Sequence, residues 1–256
     1  MAIGYLIDID GVIRVGDRPI PSAIAFVDSL LSRKIPFLLV TNNSTRTQLE
    51  NARMLGALGL SMPPEMIVTS AMVTGRYISS RMRGARAYVI GEPGLRETLR
   101  SYGVVMARSS PDFVVVGLDW HFTYYKMKTA TLALRRGAEL IATNTDVSFP
   151  LPEGLVPGAG ALVASISAAT GMEPIVMGKP NPPMFELSLS MIGMERGEVV
   201  VIGDRMDTDI AGAKRAGMRS ILVTTGVSKV PELPADASMP ERVVASLSEI
   251  DPEEPL

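Results

Sequence analysis

Ile3-Gly4-Tyr5-Leu6-Ile7-Asp8-Ile9-Asp10-Gly11-Val12 is the stretch on which the reading of this chain turns. An apolar run without alternation reads as a strand of a parallel sheet, covered by helices on both faces. This one stops at two carboxylates and a glycine. Side chains two apart on a strand share a face, and the turn at Gly11 lets both carboxylates reach one cavity. Close acidic groups repel unless a cation, a shared proton or solvent separates their charges. Taken alone, the pair is either a place of chemistry or a solvated turn rich in aspartate.

Two further apolar runs end in the same way. Ile35-Pro36-Phe37-Leu38-Leu39-Val40 leads into Thr41-Asn42-Asn43-Ser44, and Glu198-Val199-Val200-Val201-Ile202 leads into Gly203-Asp204-Arg205-Met206-Asp207-Thr208-Asp209. In open α/β sheets the ligand crevice lies outside the carboxyl ends of the strands, where all three polar clusters fall. One site assembled from three distant segments is the expectation.

Strands and helices alternate along the rest of the chain. Helices are expected near Ser22–Arg33 and Thr45–Leu58, with a short strand at Met66–Thr69. A second series follows, with strands at Ala87–Ile90, Phe113–Val116 and Leu140–Thr143 and helices near Leu95–Ser101, Tyr124–Arg136 and Gly160–Thr170. The first pattern then resumes through Gly178-Lys179-Pro180, a helix near Met184–Ile192, the strand ending at Asp204, a helix near Thr208–Ala216 and a strand at Arg219–Val223. The fold class is therefore α/β, a Rossmann-like parallel-sheet core interrupted by an α/β insert. The expected division is a discontinuous core of residues 1–81 and 175–256, with an inserted cap of residues 82–174. Hinges are expected near Gly75–Gly84 and Pro174–Gly178.

Composition narrows the partners. With 25 basic and 27 acidic residues in 256, the formal net charge of −2 leaves no electrostatic footprint for nucleic acid or an anionic membrane. There is no cysteine and a single histidine, so a metal would be held by oxygen. Residues 154–172 carry no charge, but their proline, glycines and hydroxyl residues make them too weakly apolar for a membrane span. No secretory address is visible ahead of the first strand, and the expected location is cytoplasmic.

The set Asp8-Ile9-Asp10-Gly11-Val12, Thr41-Asn42-Asn43-Ser44, Gly178-Lys179-Pro180 and Gly203-Asp204-Arg205-Met206-Asp207-Thr208-Asp209 resembles the four ordered motifs of the haloacid dehalogenase superfamily. An insert between the second and third motifs is similar to that of subfamily IIA, the NagD-like and p-nitrophenyl phosphatase-like hydrolases. Within the insert, Gly117-Leu118-Asp119, Ala142-Thr143-Asn144-Thr145-Asp146 and Pro157-Gly158-Ala159-Gly160-Ala161-Leu162 resemble stretches of that subfamily's cap. The resemblance implies a Mg²⁺-dependent phosphatase of a small soluble phosphate monoester, acting through an aspartyl-phosphate.

Each motif can meet one need of that chemistry. A phosphate monoester resists attack because the nucleophile meets a dianion, so charge must be neutralised and the leaving oxygen protonated. Asp8 is the expected nucleophile and Asp10 the general acid and base. Mg²⁺ would be held by the carboxylates of Asp8 and Asp204, and the resemblance implies the backbone carbonyl of Asp10 as a further ligand. Thr41, Asn42 and Asn43, at a strand end just before a helix, are placed to hold phosphoryl oxygens, and Lys179 is a point charge for the same group. Asp209 is open between a helix cap with Thr208 and a supporting role behind the metal. Asn144 and Asp146, after a cap strand, either read the leaving group or only shape a turn.

Other residues carry plainer readings. His121 has no partner of a triad nearby in sequence, the scattered methionines are core filler, and Gly91-Glu92-Pro93-Gly94 lacks the spacing of a phosphate loop. The competing functions are a phosphotransferase or dehalogenase on the same fold, or a capped ligand-binding or regulatory protein. A dehalogenase has no use for an acid at Asp10, and a non-enzyme would be expected to lose one of Asp8, Asp10, Lys179 or Asp204. The expected partner is a small phosphorylated metabolite: a sugar phosphate, a nucleoside monophosphate, phosphoglycolate or pyridoxal phosphate. Self-association into a homo-oligomer is left open, since members of the family often associate through cap or core surfaces.

Overall fold

A computed structural model describes residues 3–151, 154–227 and 239–256. In chain order they begin with β1 (Gly4–Asp8), the hairpin strands β2 (Arg14–Val15) and β3 (Arg18–Pro19), α1 (Pro21–Arg33), β4 (Phe37–Thr41), α2 (Gln48–Ala57) and β5 (Ile67–Thr69). Next come α3 (Ser70–Arg81), β6 (Arg86–Ile90), α4 (Pro93–Ser101), β7 (Val105–Met106), β8 (Phe113–Val116), α5 (Tyr124–Leu134) and β9 (Glu139–Ala142). The hairpin β10 (Ser148–Leu151) and β11 (Gly154–Pro157), α6 (Ala159–Thr170), β12 (Ile175–Val176) and α7 (Pro182–Ile192) follow. The chain closes with β13 (Val199–Gly203), a π-helical turn at Met206–Ile210, α8 (Ala211–Arg215), β14 (Arg219–Val223) and β15 (Arg242–Val244).

Two compact units result. The first comprises Met1–Thr41, Gln48–Val68 and Lys179–Leu256, and the second Asn42–Thr47 and Thr69–Gly178.

The sheet of the first unit runs β15-β14-β13-β1-β4-β5, with β1 parallel to both β4 and β13. Every residue of β1 is buried, as its unbroken apolar run requires. Tyr5 and Ile7 join a core with Leu39, Ile202 and Ile221 from neighbouring strands and Phe26, Val27 and Leu30 from α1. Leu6 points the other way and is equally buried, so both faces of the sheet are covered. The strand order reverses direction at β1 and β13, the switch point at which such sheets open a ligand crevice. Asp8 and Asp204 stand at the carboxyl ends of those two strands.

The second unit has its own parallel sheet, β12-β9-β8-β6-β7, over a separate core of Tyr88, Ile90, Val114, Val116, Leu140, Val163 and Ile166. Helix α3 belongs with it and packs against α4. The expected hinge at Gly75–Gly84 is corrected here, because Gly75 lies inside α3. That glycine is needed for packing: a Cβ there would stand 2.6 Å from Cδ2 of Tyr102. By contacts the change of unit comes at Val68/Thr69, and the return at Gly178/Lys179.

Candidate active site

The first unit gathers three of the expected residues, Asp8, Asp204 and Asp209, around the ammonium group of a fourth, Lys179. Lys179 follows directly on the second unit's last residue and is buried, with Nζ 2.5 Å from Asp8 Oδ1 and 2.6 Å from Asp209 Oδ1. It also donates to the carbonyl of Val40 at 3.5 Å, on the strand beside β1. Thr41, at the end of that strand, is buried as well. Asp209 is fully buried in the π-helical turn, where its other oxygen accepts the N–H of Arg205 at 3.1 Å. The sequence left Asp209 open between a cap and a supporting role. Its carboxylate lies inside the acidic cluster, because the π-turn directs it back beneath Gly203, where a Cβ would be 2.2 Å from Asp209 Cβ.

Charge is concentrated strongly here. Burial pushes the Asp8 carboxyl well above the usual carboxylate range; Lys179 pulls it back, while Asp209, Asp204 and Asp10 add to the rise. Burial, then Asp209, push the Asp204 carboxyl up to about 7 against the Val227 N–H, Lys179 and Arg205. Burial opposes the charge on Lys179, but Asp209 and Asp8 outweigh it and raise its pKa above the ordinary lysine value. One cation thus faces three buried carboxylates.

Those carboxylates fit a second cation. One oxygen from each of Asp8, Asp204 and Asp209 lies within 4.8 Å of the others. Asp204 Oδ2 accepts the N–H of Val227 at 2.7 Å, whereas Oδ1 is buried and has no hydrogen-bond partner among the described residues. An orphaned buried carboxylate oxygen calls for a ligand. The space around Asp204 is kept by two glycines: a Cβ on Gly11, whose φ is +89°, would lie 2.3 Å from Oδ2, and one on Gly226 1.9 Å. A donor set of oxygens alone suits a hard divalent cation.

Asp10 stands apart from this cluster. Its side chain is 47% exposed, and Oδ1 lies 2.6 Å from Nη2 of Arg14, a residue that carried no expectation from the sequence. An i,i+4 acid–base pair is visible in a sequence only if the residues after the turn at Gly11 are read as folding back, and the apolar Val12-Ile13 that leads to Arg14 does not mark that return.

The remaining expected residues group with the second unit and with one another. Asn42 donates from Nδ2 to the Asp146 carboxylate at 3.1 and 3.3 Å, and its carbonyl accepts from Ser70 Oγ at 2.6 Å and Asn144 Nδ2 at 2.8 Å. Asn144 is buried, and its Oδ1 also accepts the N–H of Asp146 at 3.1 Å. Asn43 Oδ1 accepts from the N–H and the hydroxyl of Thr45 at 2.9 and 2.7 Å, which closes the turn ahead of α2. Asp119 is a buried carboxylate bound by Lys126 at 2.6 Å and by the N–H of Gly91, and His121 beside it is exposed. In Gly91-Glu92-Pro93-Gly94, a Cβ on Gly94 would meet the Thr45 carbonyl at 2.4 Å, so that glycine serves a close backbone approach.

Comparison with known proteins bears on this arrangement directly. The profile of the haloacid dehalogenase-like hydrolases matches residues 5–105, and that of HAD-hydrolase-like proteins matches residues 176–250. The chain is 38% identical over 246 residues to the 5'-nucleotidase YutF of Bacillus subtilis, covering 96% of each. It is 41% identical over 231 residues to an acid sugar phosphatase of Staphylococcus haemolyticus, covering 90% of this chain and 88% of that one. Among solved structures it superposes on NagD from E. coli with a TM-score of 0.91 at 32% identity, covering 98% and 100% of the two chains. No helix among the described residues is long and apolar enough to cross a membrane. With this likeness running through both units and almost the whole length, the chain belongs to the haloacid dehalogenase-like hydrolases, on their NagD-like branch.

Proposed function

We propose that the chain is a Mg²⁺-dependent phosphatase that hydrolyses small phosphate monoesters through an aspartyl-phosphate on Asp8. The observation that carries this reading is the contact of Asp8 with the buried Lys179 at the β1/β13 switch point, beside the carboxylates of Asp204 and Asp209. In the first step a carboxylate oxygen of Asp8 attacks phosphorus while the bond to the leaving oxygen breaks, and Asp10 gives that oxygen its proton. Asp10 then takes a proton from water as the water oxygen attacks phosphorus, which releases inorganic phosphate and restores Asp8. Lys179 balances charge at the nucleophile, and Asp209 fixes the ammonium from behind. Thr41 with the Asn42–Asn43 backbone is assigned to the phosphoryl oxygens. Asp8, Asp204 and the Asp10 carbonyl would hold Mg²⁺, with Asp209 supporting them. When bound, the cation neutralises the negative charge that otherwise repels a phosphate dianion from these carboxylates.

The nucleophile, the acid and base and the ammonium are assigned to the first unit, and choice of substrate to Asp146 of the second, supported by Asn144, as the group that reads the leaving group. The names of the relatives make nucleoside monophosphates and sugar phosphates the first classes to test. A cytoplasmic location goes with such metabolites.

The test is hydrolysis of p-nitrophenyl phosphate with Mg²⁺, in EDTA, and by Asp8→Asn. Activity is expected to vanish in EDTA and to fall by about a thousandfold or more in the variant, since the covalent route is removed. Turnover in EDTA, or an Asp8→Asn enzyme within tenfold of the parent, refutes the mechanism.

A further inference from the structure

We infer that Arg14 is a positioning residue that sets the carboxylate of Asp10 for proton transfer to the leaving group. The inference rests on the acid/base reading of Asp10 given above. Arg14 is buried, with 7% of its surface exposed, and a guanidinium taken out of water needs good partners. It has few. One nitrogen donates to the carbonyl of Gly16 at 2.7 Å, and Nε is buried without a hydrogen-bond partner among the described residues. Asp17, 3.9 Å away, is fully exposed and screened by solvent. The close charged partner is Asp10, at 2.6 Å.

That pairing is a poor device for stability. A buried cation is desolvated to hold a carboxylate that itself stays about half in water, which returns little Coulomb energy for the desolvation. It is a good device for orientation. An aspartate side chain without a partner distributes over several rotamers, and proton transfer needs its oxygen within about 2.6–3.2 Å of the acceptor. The backbone that carries Arg14 is fixed by the same turn that carries Asp10. The N–H of Gly11 donates to the Arg14 carbonyl at 2.7 Å, and the N–H groups of Ile13 and Arg14 both donate to the carbonyl of Ile9. Arg14 therefore holds one oxygen of Asp10 from a rigid base and leaves the carboxylate accessible.

The experiment compares two esters of nearly equal shape, p-nitrophenyl phosphate and phenyl phosphate, whose leaving groups differ in their need for a proton. Arg14→Met, Arg14→Lys, Asp10→Asn and the Asp10→Asn/Arg14→Met double variant are measured with both. Because general acid catalysis contributes about 10²–10⁴-fold, Arg14→Met is expected to lower kcat/KM for phenyl phosphate by about tenfold or more, and for p-nitrophenyl phosphate by less than about threefold. In the Asp10→Asn background the same change should add less than about twofold for either ester, as expected of residues acting as one unit. The ratio of the two kcat/KM values does not depend on the fraction of enzyme that is folded. Should Arg14→Met fold poorly, Arg14→Lys, which keeps the charge but not the fork, gives the same comparison with a smaller change. Equal losses for both esters, or an undiminished effect of Arg14→Met in the Asp10→Asn background, overturn the role of Arg14. If Asp10→Asn alone slows both esters equally, the acid role of Asp10 fails, and the inference fails with it.

Discussion

Replacing Lys179 by methionine keeps most of the side chain's length and removes its charge. The ammonium is buried and makes charge-assisted hydrogen bonds of 2.5 and 2.6 Å to Asp8 and Asp209. Breaking a buried ion pair from one side costs about 3–5 kcal/mol, mostly because the other charge is left uncompensated. Here two carboxylates are left so, next to a third at Asp204. At about 2–4 °C per kcal/mol for a chain of roughly this size, the melting temperature at pH 8 without Mg²⁺ should fall by about 6–20 °C. The fall should shrink at pH 5. Asp8 and Asp204 have folded pKa values above their unfolded ones, Asp204 at about 7. Such groups bind more protons when folded, so stability declines as pH rises from near 4 through about 7. At pH 5 a proton can take the place of the missing ammonium, and at pH 8 it cannot. Thermal unfolding followed by circular dichroism at the two pH values, without metal, decides the matter. A shift of the same size at both, or one below about 2 °C at pH 8, would refute the picture of one cation balancing a buried acidic cluster.

The parent protein should show the same sign: without metal it should melt at higher temperature at pH 5 than at pH 8, and the stabilisation by Mg²⁺ should be larger at pH 8, where Asp204 is ionised and ready to bind. Calorimetric scans at both pH values with and without Mg²⁺ test this, and equal Mg²⁺ effects count against the acidic cluster as the metal site. Gly226→Ala should abolish most of that Mg²⁺ stabilisation, since its Cβ would fall 1.9 Å from Asp204 Oδ2; an unchanged Mg²⁺ shift would mean that Asp204 does not hold the ion. Asp146→Ala should change the ranking of kcat/KM among nucleotide and sugar phosphates by about tenfold while sparing p-nitrophenyl phosphate. A uniform loss would return Asp146 to shaping the turn with Asn42.

The inner strands β1, β4 and β13 of the first unit's sheet were legible because they are buried on both faces and lack any polar residue until they end, whereas the half-buried edge strand β15 carried no expectation. Asp8, Thr41 and Asp204 stood out for that reason alone. The helices that were expected agree with their positions to within a few residues, from α1 at Pro21–Arg33 to α7 at Pro182–Ile192, whereas α3 at Ser70–Arg81 carried no expectation. The short exposed hairpins, β2/β3 and β10/β11, left no such trace, since half-exposed pairs of a few residues carry too little periodicity to register. Gly75 misled as a hinge because glycine marks a close approach inside a helix as well as a bend. Asp209 was ambiguous for a geometric reason. A helix cap and a cluster ligand look alike in sequence, and only the π-turn after Arg205 decides which way the carboxylate faces.

The pairing of β1 with β13 sets the order in which this protein can become active. Gly4 pairs with Val199 and Ile7 with Ile202, so one neighbour of the first strand is made long after the strand itself. At roughly 5–20 residues per second, a ribosome needs on the order of ten to forty seconds to bridge that gap. The sheet of the second unit is drawn from one continuous stretch, Thr69–Gly178, and can be complete before β13 exists. Through most of that interval Asp8 is present without Lys179, and throughout it Asp204 and Asp209 have yet to be synthesised. A nascent chain therefore carries Asp8, the proposed nucleophile, well before it has the full cluster of Asp8, Asp204 and Asp209, which exists only when synthesis has passed Asp209.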